Sequence, residues 1–158
     1  MAYLSTFISA KLFLLLAVSP SYNQQKNGAM QDRPIPITKI SYSTTGGRGG
    51  NTVSLEITSK TLVYVVGRGG AEKTVTEKTS KSLWNSFTKA INTNDMDGIK
   101  SNPVHALYDG TDITITVEKG KEIHTLVNGN EDSLKYKKIK AFTDILESQL
   151  SRLEKKIR

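Results

Sequence analysis

Short strand-like runs joined by glycine-rich turns constrain this chain more than any other feature. In the first run, Ile40 and Tyr42 alternate with Lys39, Ser41 and Ser43. In the second, Val53, Leu55 and Ile57 alternate with Ser54, Glu56 and Thr58. Alternation of period two places one face on a core and the other in water. The third run, Leu62 to Val66, is apolar on both faces, which predicts a central or doubly covered strand. The fourth, Glu72 to Lys78, has Val75 as its only large apolar residue and reads as an edge strand whose charges discourage further pairing. Gly46 to Asn51, Ser59-Lys60 and Gly67 to Gly70 separate the runs. Glycines at such places supply the positive φ of tight hairpins. Links this short join neighbouring strands in an antiparallel meander.

The pattern then changes period. Leu83, Trp84, Phe87, Ala90 and Ile91 recur at three and four residues, which predicts a helix over about 80–92 capped by Thr79 or Ser80. Thr93 to Pro103 reads as loop, and Tyr108-Asp109-Gly110 as a turn. Two alternating strands follow, Asp112 to Glu118 and Glu122 to Asn128, joined by Lys119-Gly120-Lys121. A long helix over about 134–156 closes the chain, with Ile139, Phe142, Leu146, Leu150 and Leu153 on one side. The order β-β-β-β-α-β-β-α predicts an α+β fold: a mostly antiparallel sheet with two helices packed on one face.

The N-terminus reads as an address. Lys11 precedes the apolar run Leu12 to Val18, and Ser19-Pro20-Ser21 ends it. A positive residue, a short apolar core and a small-residue exit match a secretory signal. The run is shorter than the ~20 residues a membrane span needs. Residues 1–21 are therefore expected to be a signal peptide, 22–36 a flexible polar leader, and 37–158 a single domain. This places the mature protein in the periplasm or outside the cell. Cysteine is absent, which excludes disulfides and thiolate chemistry.

Catalytic and metal-binding patterns fail on inspection. Asp95-Met96-Asp97-Gly98 resembles part of a calcium loop, but Thr93 and Val104 stand where its first and last ligands belong. His105 and His124 form no HExxH pair. A His105–Asp109 dyad lacks any nucleophile motif, and His124 reads as a packing or surface residue. No cofactor, no metal and no catalytic residue is expected.

The two turn motifs Gly47-Arg48-Gly49-Gly50 and Gly67-Arg68-Gly69-Gly70 are nearly identical. Alternate turns of a meander lie at one end of the sheet, so the tips should stand roughly 10 Å apart. Paired guanidinium groups on open loops suit a carboxylate, phosphate or sulfate, or a partner's cleft. Gly47, Arg48, Gly49, Arg68 and Gly69 are the expected partner-binding residues. The chain carries a formal charge of +7, with Lys135, Lys137, Lys138 and Lys140 near the closing helix. Without stacking aromatics or a known module, this basic face argues for an anionic envelope component rather than nucleic acid.

The Gly-rich first hairpin, Leu83-Trp84 opening a helix, Tyr108-Asp109-Gly110, and the hairpin Ile113–Val117 returning through Ile123-His124-Thr125 carry a resemblance. The chain resembles small exported proteins of Bacteroidetes-type bacteria that have no assigned function. More loosely it is similar to emfourins, inhibitors of protealysin-like metallopeptidases. The resemblance spans about Ile37 to Leu150 and implies inhibition of an exported peptidase, with Gly46 to Gly50 as a candidate contact. The chain departs from emfourins in its additional strand pair, its signal segment and its longer basic helix. The expected function is thus an exported, non-enzymatic binding protein, with peptidase inhibition through the Gly/Arg tips as its most specific form. The alternative is an envelope-associated structural or adhesion protein that uses the basic helix.

Overall fold

A computed structural model describes residues 35–47, 50–102 and 110–158. The fold is α+β. Six strands form one antiparallel sheet: β1 (Ile37–Gly46), β2 (Thr52–Thr58), β3 (Thr61–Arg68), β4 (Ala71–Lys78), β5 (Thr111–Lys119) and β6 (Glu122–Val127), in the spatial order β4-β3-β2-β1-β5-β6. Four helices accompany it: α1 (Lys81–Ala90), α2 (Thr93–Asp97), α3 (Ser133–Tyr136) and α4 (Lys140–Ile157). The first four strands are the expected meander. The second hairpin joins it beside β1, with Tyr42 opposite Ile115 and Ile40 opposite Val117.

Strand alternation decides the two faces. Ile40, Leu55, Ile57, Leu62, Tyr64, Ile115, Val117 and Leu126 point to one side and are buried. Against them lie Phe87, Ile91, Met96, Ile139, Phe142, Leu146 and Leu153 from the helical segments. Phe87 and Phe142 meet edge to face at 5.8 Å, so α1 and α4 share the centre of the core. The other side of the sheet carries Ser41, Ser54, Glu56, Thr74, Thr76, Thr116 and Thr125, and Lys39 bridges Glu118 there at 2.7 Å.

Several expectations need correction. β3 is neither central nor doubly covered. It lies next to the edge, and its outer residues Val63 and Val65 are half-buried among neighbouring side chains on the open face. The stretch after α1 is not all loop. Ile91 turns extended, and the Asn92 side chain accepts a hydrogen bond from the Asn94 backbone N–H, starting the separate helix α2. Five residues are too few for a helical period to show, yet they bury Met96. The closing helix is broken. Asp132 caps the four-residue α3, a 3-10 turn over Lys137–Ile139 follows, and only then does α4 run on. Leu134 is consequently 80% exposed, and the apolar stripe starts at Tyr136 and Ile139 instead. Ser80, one of the two expected caps, does cap α1, accepting from Leu83 N–H at 3.2 Å.

The expected domain start needs a smaller adjustment. Ile35 lies against Gly120, and Ile35 and Pro36 line a groove with Trp84, so the packed unit begins before Ile37. The expected signal peptide and most of the expected leader lie outside the described residues. No described helix is long and apolar enough to cross a membrane.

An ion cluster ties α4 to β4. Glu77 accepts hydrogen bonds from Lys156 at 2.6 Å and from Arg152 at 2.9 Å. These donors, Lys156 foremost, hold its carboxyl below the ordinary value of 4.5. A lowered folded value contributes stability above the unfolded value and loses it as pH falls through the folded one. Glu77→Gln is expected to be the less stable protein near neutral pH. Its stability should converge with the parent's below about pH 4. Urea unfolding across that range checks it; curves that stay parallel into acid would remove the cluster from the account.

Candidate functional site

The end of the sheet that carries the two Gly-Arg turns is the candidate site. The β3–β4 turn is Arg68-Gly69-Gly70-Ala71, with Arg68 paired to Ala71. Gly69 and Gly70 have φ of 58° and 83°, the pair of positive values a two-residue type I′ turn needs. A side chain at either position would meet nothing within 4 Å. Backbone conformation, not crowding, therefore asks for glycine there. Gly67 is the opposite case. It is buried where β2 and β3 approach, and a Cβ would collide with the Thr52 hydroxyl.

The β1–β2 turn stands beside it. Gly47 and Gly50 take φ of 78° and 60°, and Gly50 N–H donates to Gly47 C=O at 3.2 Å. Gly47 N–H donates to Gly110 C=O at 2.9 Å, which pins the segment entering β5 to the same end. Thr52 opposite Gly67 brings the two hairpins side by side. Between them lies a shallow cleft of about 240 Å³ lined by Gly50, Thr52, Gly67, Arg68, Gly70 and Glu72. Arg68 and Glu72, both exposed, are among the residues that line it. Of the expected contact residues, Gly47, Arg68 and Gly69 are thus gathered at one end. Arg48 and Gly49 lie outside the described residues, as do His105 and Asp109.

Such an end offers an exposed arginine and little side-chain bulk. It can accept anionic groups or extended backbone and can enter a concave surface.

Three further features escaped sequence reasoning. His124 faces the helices, and its Nδ1 lies 2.8 and 2.9 Å from the two carboxylate oxygens of Asp97. Its Nε2 is enclosed, with no hydrogen-bond partner among the described residues. Glu122 stands 3.7 Å from that nitrogen, and the His124–Asp97 pair joins α2 to β6. The signal was split across 27 residues and two elements. Asn128 and Asp112 form a buried polar pair at 2.8 Å beside the start of β5. An apolar groove of about 430 Å³ runs between Ile35, Trp84, Ile91 and Lys119. Among the described residues, no group of three or more His, Asp or Glu side chains converges on a point that a metal ion could occupy. Burial pushes the Tyr42, Tyr64 and Tyr136 hydroxyls above their ordinary value.

No protein-family model and no curated protein matches the chain.

Proposed function

We propose that this chain acts as an exported, non-enzymatic binding protein whose Gly/Arg hairpin tips engage a protein partner. The observation that supports this reading is that Gly50, Arg68 and Gly70 line one cleft at the end of the sheet that also carries Gly47. The two-residue β3–β4 turn sets the backbone at Arg68 before binding, which lowers the ordering entropy that opposes association. Peptidase inhibition is the most specific form of the reading and rests on the resemblance to emfourins. A bulk-free loop suits a substrate cleft.

The alternative, an envelope component held by its basic closing helix, draws less support. Arg152 and Lys156 already answer Glu77, Arg158 answers Glu154 at 2.6 Å and Lys140 answers Asp144, which leaves Lys135, Lys137 and Lys138 to carry it. That reading requires binding to anionic vesicles that weakens as salt rises.

The test compares the chain with its Arg48→Ala/Arg68→Ala variant, each immobilised and exposed to the exported protein fraction. The variant is expected to retain the partner at least about tenfold more weakly, as for a lost arginine anchor. A captured peptidase should be inhibited by the parent chain and spared by the variant. Equal retention by both proteins would exclude the tips.

A further inference from the structure

We propose that β4 is a self-complementary edge through which two copies of this chain join antiparallel into one continuous sheet. β4 ends the sheet: β3 pairs along its whole length, and no described strand pairs with its other side. An unpaired strand edge of this kind is a template for another strand.

The hydrogen-bonding parity of that edge follows from its partner. Thr79 N–H donates to Lys60 C=O at 3.1 Å, so this pair is a hydrogen-bonded one. Bonded and non-bonded pairs alternate along an antiparallel ladder. With Lys78 opposite Thr61 and Val75 opposite Tyr64, the odd-numbered residues of β4 bond inward to β3. Glu72, Thr74, Thr76 and Lys78 therefore direct their backbone N–H and C=O groups outward. Only registers that place even-numbered residues opposite even-numbered residues satisfy those groups in a second copy.

The side chains then choose among such registers. The strand reads Glu72-Lys73-Thr74-Val75-Thr76-Glu77-Lys78. With Val75 on the twofold axis, Thr74 faces Thr76, Lys73 faces Glu77, and Glu72 faces Lys78 of the second copy. Every charged residue meets its opposite, twice over by symmetry. Opposite charges directly across a strand pair stabilise it, and like charges oppose it. Centring instead on Thr74 or Thr76 pairs no charge with its opposite. Centring on Lys73 or Glu77 sets that residue against itself. The charges that would ordinarily guard an edge here select a single partner and a single register. About eight backbone hydrogen bonds close this seam, two for each outward-facing pair.

Faces agree as well. Lys73, Val75 and Glu77 lie on the helix-covered side in both copies, and the exposed Glu72, Thr74, Thr76 and Lys78 lie on the open side. Lys73 donates to Ile157 C=O at 3.1 Å and Glu77 holds Arg152 and Lys156, so the inner pair is shared with α4 and the exposed Glu72–Lys78 pairs carry the register. The β3–β4 tips of the two copies would point in opposite directions, roughly 35 Å apart at the usual strand rise. The assembly would thereby present two tip clusters.

Sedimentation equilibrium of the full chain at low salt, over a wide concentration range, tests this. The parent should show a monomer–dimer equilibrium. Glu72→Lys and Lys78→Glu each set like charges face to face at two symmetric places, and each should raise the dimer Kd about tenfold. The combined E72K/K78E chain regenerates opposite pairs and should return to within about threefold of the parent. Thr74→Pro removes an outward N–H without touching the β3 ladder and should abolish dimers. In a chain without other thiols, Val75→Cys should form an intermolecular disulfide in air and Thr74→Cys should not. All exchanged charges are exposed, and circular dichroism verifies that each variant is folded. A parent that stays monomeric throughout, or single reversals that leave Kd unchanged, would overturn the proposal. So would a double exchange that fails to restore association.

Discussion

Replacing Phe142 with alanine is expected to cost roughly 3–5 kcal/mol of folding stability. Phe142 is fully buried on α4, and its ring meets Phe87 of α1 edge to face. The substitution removes the transfer free energy of a large side chain and leaves a cavity between two helices and the sheet. A domain of this size commonly has about 5–15 kcal/mol to lose. The variant should therefore unfold at far lower urea than the parent, with an unchanged slope if the denatured state is unaffected. Phe142→Leu keeps most of the volume and should lose clearly less. A double-mutant cycle with Phe87→Ala isolates the ring–ring contact, expected near 0.5–1.5 kcal/mol beyond area burial. A loss below about 1 kcal/mol for Phe142→Ala would mean that α4 does not dock on the sheet as described.

Asn128→Ala is expected to cost roughly 2–4 kcal/mol, although it removes only one small side chain. Asn128 follows β6 in a left-handed conformation, φ 50°, and is 2% exposed. Its Oδ1 accepts from Ile113 N–H at 2.9 Å, and its Nδ2 donates to Asp112 at 2.8 Å. Its backbone N–H and C=O are taken by Ile113 and Asn102. Alanine fits the left-handed region less well than asparagine, and it withdraws both side-chain hydrogen bonds from buried partners. Asn128→Gly relieves the backbone and not the bonds, so it should recover only part of the loss. Asn128→Asp sets a second carboxyl group against Asp112 and should make stability fall as pH rises through the carboxylate range. Equal stability of the parent and the alanine variant in thermal and urea unfolding would count against this hub.

The alternation of β1, β2, β5 and β6 was legible because a half-buried strand repeats every two residues, and so was the stripe of α1. The β3–β4 turn was legible because a type I′ turn demands glycine locally, at Gly69 and Gly70. β3 misled because an apolar run records how much surface wants cover, not which side receives it. Val63 and Val65 found their cover among neighbouring side chains of the open face rather than under another layer. The breaks that set off α2 and α3 were hidden for a different reason. Asn92 and Asp132 cap their helices through single hydrogen bonds, and so short a helix leaves no period to read. The convergence of the two tips followed from meander topology, whereas the pinning of Gly47 to Gly110 did not.

The sequence by itself determined the α+β class, the identity of the edge strand and the charge order along it. Each is set by a local period or by neighbours a few residues apart. Only the tertiary structure decided that β5 lies beside β1, that Asp97 reaches His124, and that Asn128 serves the start of β5. Those contacts join residues distant in the chain, and their free energy exists only once the sheet has closed and excluded water from between them.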